Sequence, residues 1–135
     1  MDLKQLDHFR VAHLATADAQ GKPLAVPLCF ACGEEHIYSA VDEKPKRIAG
    51  SRLRRLRNIA ANPQVCLLVD HYEEDWSRLS YILVEGAAAI IHQGAEHRLA
   101  ISLLRSKYAQ YSAMNLESQP VIKITPRRLI PWKAA

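Results

Sequence analysis

Apolar and polar positions change their spacing several times along the chain, and each change marks an element. Leu3 to Phe9 predicts a short leading helix, and Val11 to Thr16 a first strand. In "LAVPLCF", Leu24, Val26, Leu28 and Phe30 recur at every second position, which predicts a second strand. Pro27 inside it cannot donate a ladder hydrogen bond, so that strand belongs at a sheet edge or a bulge. "DAQGKP", with Gly21 and Pro23, and "CGEEH" are turn chemistry. "IYSAV" is a third strand, and three short strands joined by tight turns predict an antiparallel meander.

The spacing then becomes helical. Leu53, Leu56, Ile59 and Ala60 form one stripe, with Ser51 as N-cap after Gly50 and Asn62-Pro63 as the stop. Arg52 and Arg55 share one edge of this helix, Arg57 flanks the other, and Arg54 points away from the core. Val65 to Asp70 reads as a buried strand and "HYEEDWS" as a polar, aromatic loop. "LSYILVEGAAAII" is long for a strand, and Glu85-Gly86 in its middle predicts a bulge or strong bend. "GAEHRLAISLLRSKYAQY" is an amphipathic helix, and "VIKITPRRLIPW" closes the chain as a strand. The order is helix, three strands, helix, two strands, helix, strand. It predicts an α+β, mainly β, chain: a single domain over residues 1–135 built as a small six-stranded antiparallel barrel with short connecting helices.

Composition sharpens this picture at one place. The net charge is +4, but residues 44 to 57 alone hold seven Lys or Arg and no acid; the rest carries eleven basic against fourteen acidic residues, a balance of −3. The basic character is a local patch, which points to an anionic partner. No apolar run approaches a membrane span, the start "MDLKQLDHF" lacks the apolar core of a signal peptide, and three cysteines give no disulfide framework. A reducing, cytoplasmic setting is the expectation.

Arginines can serve merely as a solvated helix face. Two features argue for more: no Glu or Asp is interleaved to relieve repulsion, and several cations precede the helix start, where the macrodipole disfavours them. Cations beside free backbone N–H groups suit a phosphate. Nucleic acid is the rival anion, but aromatic residues are not interleaved with the patch, so a stacking platform is missing and no nucleic-acid partner is expected. Cys29 and Cys32 form C-x-x-C where a strand runs into a turn, not at a helix N-terminus, and read as small apolar strand residues rather than as a redox pair or zinc ligands. In "HYEEDWS", Trp76 either pins a surface loop by being buried or walls a ligand pocket; Trp132 reads as a core or interface anchor. No nucleophile motif, P-loop, metal motif or convincing carboxylate pair is present, so a bound cofactor would carry any chemistry.

"HLATADAQGKPLAVPLCF", then "IYSAVD", then "KPKR…RRLRNIAANPQVCLLVD" together resemble the flavin-binding split barrels of the pyridoxamine 5′-phosphate oxidase superfamily. "HYEEDWSRL" and "ITPRRLIPW" are similar to one branch, the deazaflavin (coenzyme F420)-dependent oxidoreductases. The resemblance implies a homodimer with the cofactor, coenzyme F420 or FMN, in a groove at the dimer interface. It implies that Lys46, Arg52, Arg55 and Asn58 hold the phosphate with Lys44 and Arg47 nearby. Val26, Pro27 and Leu28 would approach the ring, and the loop holding His71 and Trp76 would lie close, reaching toward the partner subunit. The implied activity is hydride transfer between the cofactor and a small molecule, with Tyr81 and His71 as candidate proton donors only. Ser80, Tyr81 and Ala87 depart from the branch, which would place an aromatic residue before the strand and an Arg after the glycine. Seven cations exceed what one phosphate needs and favour F420, which carries a phosphodiester and an oligoglutamate tail. The alternatives are an FMN-dependent enzyme, an FMN- or haem-binding split barrel without turnover, and, third, a nucleic-acid-binding protein.

Overall fold

The structure, a computed structural model, describes residues 1–42 and 53–135. Seven strands among these residues form one antiparallel sheet: β1 (Ala12–Ala17), β2 (Pro23–Leu28), β3 (Ala31–Cys32), β4 (Ile37–Ala40), β5 (Gln64–His71), β6 (Ser80–Ile91) and β7 (Val121–Lys133). Their order is β2-β1-β5-β6-β7-β4-β3. The described residues also hold two α-helices, α1 (Arg54–Ala61) and α2 (Ala95–Lys107), and short 3-10 turns at Leu3–Leu6, Trp76–Arg78 and Ala109–Ala113.

This order forces the sheet to curl. Laid flat, six strand spacings would separate β2 from β3 by about 29 Å. Only Cys29 and Phe30 join them, and three Cα steps reach at most about 11 Å. The two edges must therefore approach one another, and the sheet wraps into a half-barrel around Leu14, Phe30, Ile37, Leu67, Val69, Val84, Ile122 and Ile124, all at most 1% exposed. The sequence expectation needs two corrections. β3, too short to show a pattern, raises the strand count from six to seven. The first strands are not a meander either: β1 and β2 make a hairpin, but β4 leaves them and pairs with β7, Ile37 opposite Ile124. Hydrophobic alternation alone cannot say which strand is the neighbour.

Other local expectations hold. β2 lies at the sheet edge, where Pro23 and Pro27 remove no ladder bond. The turn before it is closed by Asp18, whose carboxylate accepts from the backbone N–H of Gln20 and of Lys22, both at 2.9 Å, while Gly21 sits at φ 85°. A bulge falls at Glu85/Gly86: Glu85 pairs with Arg128 but Gly86 with Pro126, so the extra residue, Arg127, is on the opposite strand. A Cβ on Gly86 would sit 2.5 Å from the Thr125 carbonyl oxygen, and this is why glycine stands there. β4 is buried along its whole length, because its second face is covered by α2.

A second core lies beneath α2, built from Tyr38, Ala100, Ile101, Leu104, Tyr108, Tyr111, Leu116 and Val121. Tyr108 ties it to the barrel. Its hydroxyl accepts from the buried Phe30 N–H at 3.1 Å and lies 3.0 and 2.9 Å from the carbonyls of Arg10 and Phe30, to one of which it donates. Tyr108→Phe strands that N–H in an apolar site, an expected loss of about 1–3 kcal/mol. Urea unfolding of the two proteins measures it, and unchanged stability would contradict the assignment. The ammonium of Lys107 is also enclosed, 3.7 Å from the Phe30 ring centroid and 3.4 Å from Asp7 Oδ1. Among the described residues no helix is long and apolar enough to cross a membrane.

Candidate functional site

Helix α1 carries the residues on which the site reading rests. Ser51, Arg52, Lys44, Lys46 and Arg47 lie outside the described residues, so the described part of the basic segment is Leu53 onward. Leu53 occupies the N-cap position without a side-chain cap. Leu56 and Ile59 are buried as predicted, but Ala60 is exposed and Asn58, at 4% exposure, is buried in its place. At 100° per residue this rotates the inward face by roughly 80° from the predicted stripe. The correction has a local cause: the Asn58 side-chain amide donates to Thr16 Oγ1 of β1 at 3.0 Å, both groups being buried.

The same rotation turns Arg55 inward. It falls between Asn58 and Ile59 on the helix circumference, while Arg54 and Arg57 are exposed. Burial is the main influence on its guanidinium and lowers its pKa from the ordinary value; Asp42 and Tyr111 oppose that shift. Arg55 nevertheless stays charged. Asp42, 7% exposed, accepts a hydrogen bond from the Tyr111 hydroxyl at 2.9 Å. Burial and the Asp42 carboxylate together raise the Tyr111 phenol well above its ordinary pKa. Arg55 Nε is buried and has no hydrogen-bond partner among the described residues. A half-buried guanidinium with one donor unspent fits an anionic group, because an unsatisfied buried donor is costly until something accepts from it. Thr16, Asp42 and Tyr111 carry no signal in the sequence: each is brought in by tertiary contact, Tyr111 from 69 residues beyond Asp42.

Val26, Pro27 and Leu28 lie on the edge strand β2. Val26 and Leu28 are half-buried against the barrel core, and Pro27 is exposed beside His13 of β1. His71 and Trp76 are not brought to Asn58 and Arg55, but Pro27, level with Leu68 through His13, lies three strand residues, about 10 Å, from the level of His71. His71 closes β5, whereas the register Ala15 opposite Cys66 sets Thr16 level with the start of that strand. Thr16 and His71 are thus about 20 Å apart along the sheet. Trp76 is 66% exposed, which overturns the reading of a loop pinned by a buried Trp. The loop is held instead by Asp75, whose carboxylate accepts from the Ser77 N–H at 3.1 Å, and by Trp76 Nε1 near the Tyr72 hydroxyl at 3.4 Å. His71 is partnered by Glu73.

Cys29 and Cys32 are free thiols. Burial, with Asp7 beside it, pushes Cys32 up to about 12, so its reactive thiolate is scarce at neutral pH. Among the described residues no three His, Cys, Asp or Glu gather where a metal could bind.

The outer face of the sheet keeps a half-buried apolar row. Leu68, Leu83 and Ile130 run across β5, β6 and β7 in register, and Tyr81 stacks on Trp132 beside them, ring centroids 5.5 Å apart. A groove of about 510 Å³ opens on this face near α1, lined by Ala15, Thr16, Pro23, Cys66, Arg127 and Arg128 among others. A larger one of about 730 Å³ runs beside α2, but its Arg105 is committed to Glu117 and to the carbonyls of Tyr111 and Met114.

Solved structures of similar fold include a FAD-binding protein of Mesorhizobium loti (TM-score 0.71, 21% identity, covering 93% of this chain and 85% of that one). The haem storage protein of Vibrio cholerae is also similar (TM-score 0.71, 18% identity, 98% and 95% covered). By sequence the chain is similar to the 5a,11a-dehydrotetracycline/5a,11a-dehydrooxytetracycline reductase of Streptomyces rimosus, 26% identical over 133 residues, 96% of this chain and 80% of that protein. Residues 3–133 match the model of the pyridoxamine 5′-phosphate oxidase family. With the match spanning nearly the whole chain, this half-barrel protein belongs to the pyridoxamine 5′-phosphate oxidase family.

Proposed function

We propose that the protein is an oxidoreductase using a flavin-type cofactor, coenzyme F420 in preference to FMN, and that it works as a homodimer on a small molecule. The observation that carries this reading is Arg55: an inward-facing, half-buried guanidinium whose Nε lacks an acceptor among the described residues, on the helix that the basic segment leads into. The family and the reductase relative support a flavin-type oxidoreductase. The cofactor supplies the hydride chemistry. The chain supplies binding and orientation: Arg55 and the basic segment hold the anionic tail, Asn58 fixes the α1–β1 corner, and Val26 to Leu28 offer a wall for the ring. No side chain is assigned as a proton donor.

The separation of about 20 Å along the sheet between Thr16, which Asn58 of α1 contacts, and His71 supports the dimer reading. That loop holds Glu73, Glu74 and Asp75, whereas the far end of the same sheet holds the arginines of α1. Two copies apposed through their outer faces with opposite strand direction would set the acidic loop of one against the basic helix of the other.

Arg55→Ala should weaken cofactor binding about tenfold to a hundredfold, the loss of one charge-assisted contact. Arg54→Ala should change it little, since Arg54 is exposed and its charge reaches Asp18 of the β1–β2 turn. Fluorescence titration of both variants with F420 and with FMN reads the effect and compares the two cofactors. Equal losses from the two substitutions would remove the inward edge of α1 from the site. Binding of neither cofactor, with haem taken up instead, would favour the haem-carrier alternative.

A further inference from the structure

Two consecutive residues of a strand point to opposite faces. Arg127 and Arg128 break that rule, since both are exposed and both line the 510 Å³ groove on the outer face. The bulge is the reason. Arg127 and Arg128 together oppose Glu85 alone, and the tight approach of Thr125 to Gly86 holds the strands in that register. Bulges re-aim side chains and are over-represented beside functional sites.

We propose that Arg127 and Arg128 form a binding site for the carboxylate or phosphate of a small organic molecule lying in this groove. Arg127 is already oriented: its Nη2 donates to Gln64 Oε1 on β5 at 3.0 Å, so the side chain reaches across β6, and this is its one side-chain hydrogen bond among the described residues. Arg128 faces Glu85 only loosely, Nη1 to Oε1 at 3.9 Å with 69% of its side chain exposed, a separation that exchanges readily for a bidentate contact to an oxyanion. Glu85 leaves the groove one net positive charge, enough for one anionic group and unfavourable for a polyanion. Ala15, Ala17, Pro23 and Val65 give the organic body an apolar wall. The volume is that of a small-molecule site. This chemistry does not depend on which cofactor the protein takes; in the proposed enzyme the groove would be where an anionic substrate rests.

The test is a titration of the full chain with sodium succinate and, separately, sodium phosphate, following arginine Nε–Hε and backbone amide resonances by NMR. Saturable shifts are expected at Arg127, Arg128 and Gln64. The double variant Arg127→Ala/Arg128→Ala should weaken the shift at Cys66 by about tenfold or more in apparent affinity, with Arg127→Lys intermediate because a point charge replaces a fork. Arg98→Ala on α2 should leave it unchanged. If the double variant does not fold, the Lys/Lys pair is read instead. Shifts that do not saturate, that survive the double variant, or that centre on Arg55 would overturn the proposal. A preference for succinate or phosphate identifies the anion. Cofactor uptake, measured separately, tests the preceding reading without bearing on this one.

Discussion

If the proposed dimer forms through the outer face, Leu83→Arg is expected to weaken it, and with it the proposed cofactor binding, while leaving each chain folded. Leu83 sits at the middle of the outer face, flanked in register by Leu68 and Ile130, and is only half-buried in the single chain. An arginine there can reach water in the monomer. In an apposed pair it would lie unpaired at the centre of an apolar contact, where a buried charge without a partner costs about 2 kcal/mol or more, about thirtyfold in dissociation constant. Sedimentation across a dilution series, with bound cofactor followed in the same cell, reads both quantities. A variant that is monomeric yet binds cofactor stoichiometrically and tightly would show that one chain holds the whole pocket. A variant that stays dimeric would move the interface off this face. Leu99→Arg, on the exposed side of α2, is the control.

Gly86→Ala should be the most destabilising single-methyl change in the sheet. The added Cβ would meet the Thr125 oxygen at 2.5 Å and Pro126 Cα at 3.1 Å, both backbone atoms that no rotamer can move aside. Overpacking of this kind costs about 1–3 kcal/mol, here at the upper end, which for a domain of this size lowers the melting temperature by roughly 10 °C. Gly94→Ala, at φ 103° with open space around it, tests backbone strain without a clash and separates the two causes. Because β6 and β7 pair along nearly their whole length on both sides of the bulge, the variant should also disturb the orientation of Arg127. A variant as stable as the parent would mean that the strands slide easily, and that the register is not what aims the two arginines.

Much of the architecture was legible from spacing alone. The element order apart from β3, the edge position forced by Pro27 and the bulge at Glu85-Gly86 each follow from a local rule, and local rules survive folding. Pairing was not legible: β4 reads as the third strand of a meander until its two buried faces show that it must be covered twice. In the candidate site, the direction of the helix was not legible. Charge density marked the basic segment, but a 3.6-residue period cannot fix the rotation of an eight-residue helix to better than a residue. The hydrogen bond from Asn58 to Thr16 decided that rotation and carried Arg55 inward with it. The arginines of β7 were invisible as a pair, because adjacent strand residues are read as facing apart unless an inserted residue is already known.

The edges of the sheet have a consequence for how this protein behaves when concentrated. At one edge β2 offers prolines at two positions of the same parity, and at the other β3 is two residues long. Neither presents the run of open N–H and C=O groups that recruits another strand. Through these two strands, copies therefore cannot extend the hydrogen-bond ladder from one molecule into the next. The side of β7 beyond Ile124, paired only to β6, is where a strand of another copy would have to add, and the exposed Arg127 and Arg128 put charge on that stretch.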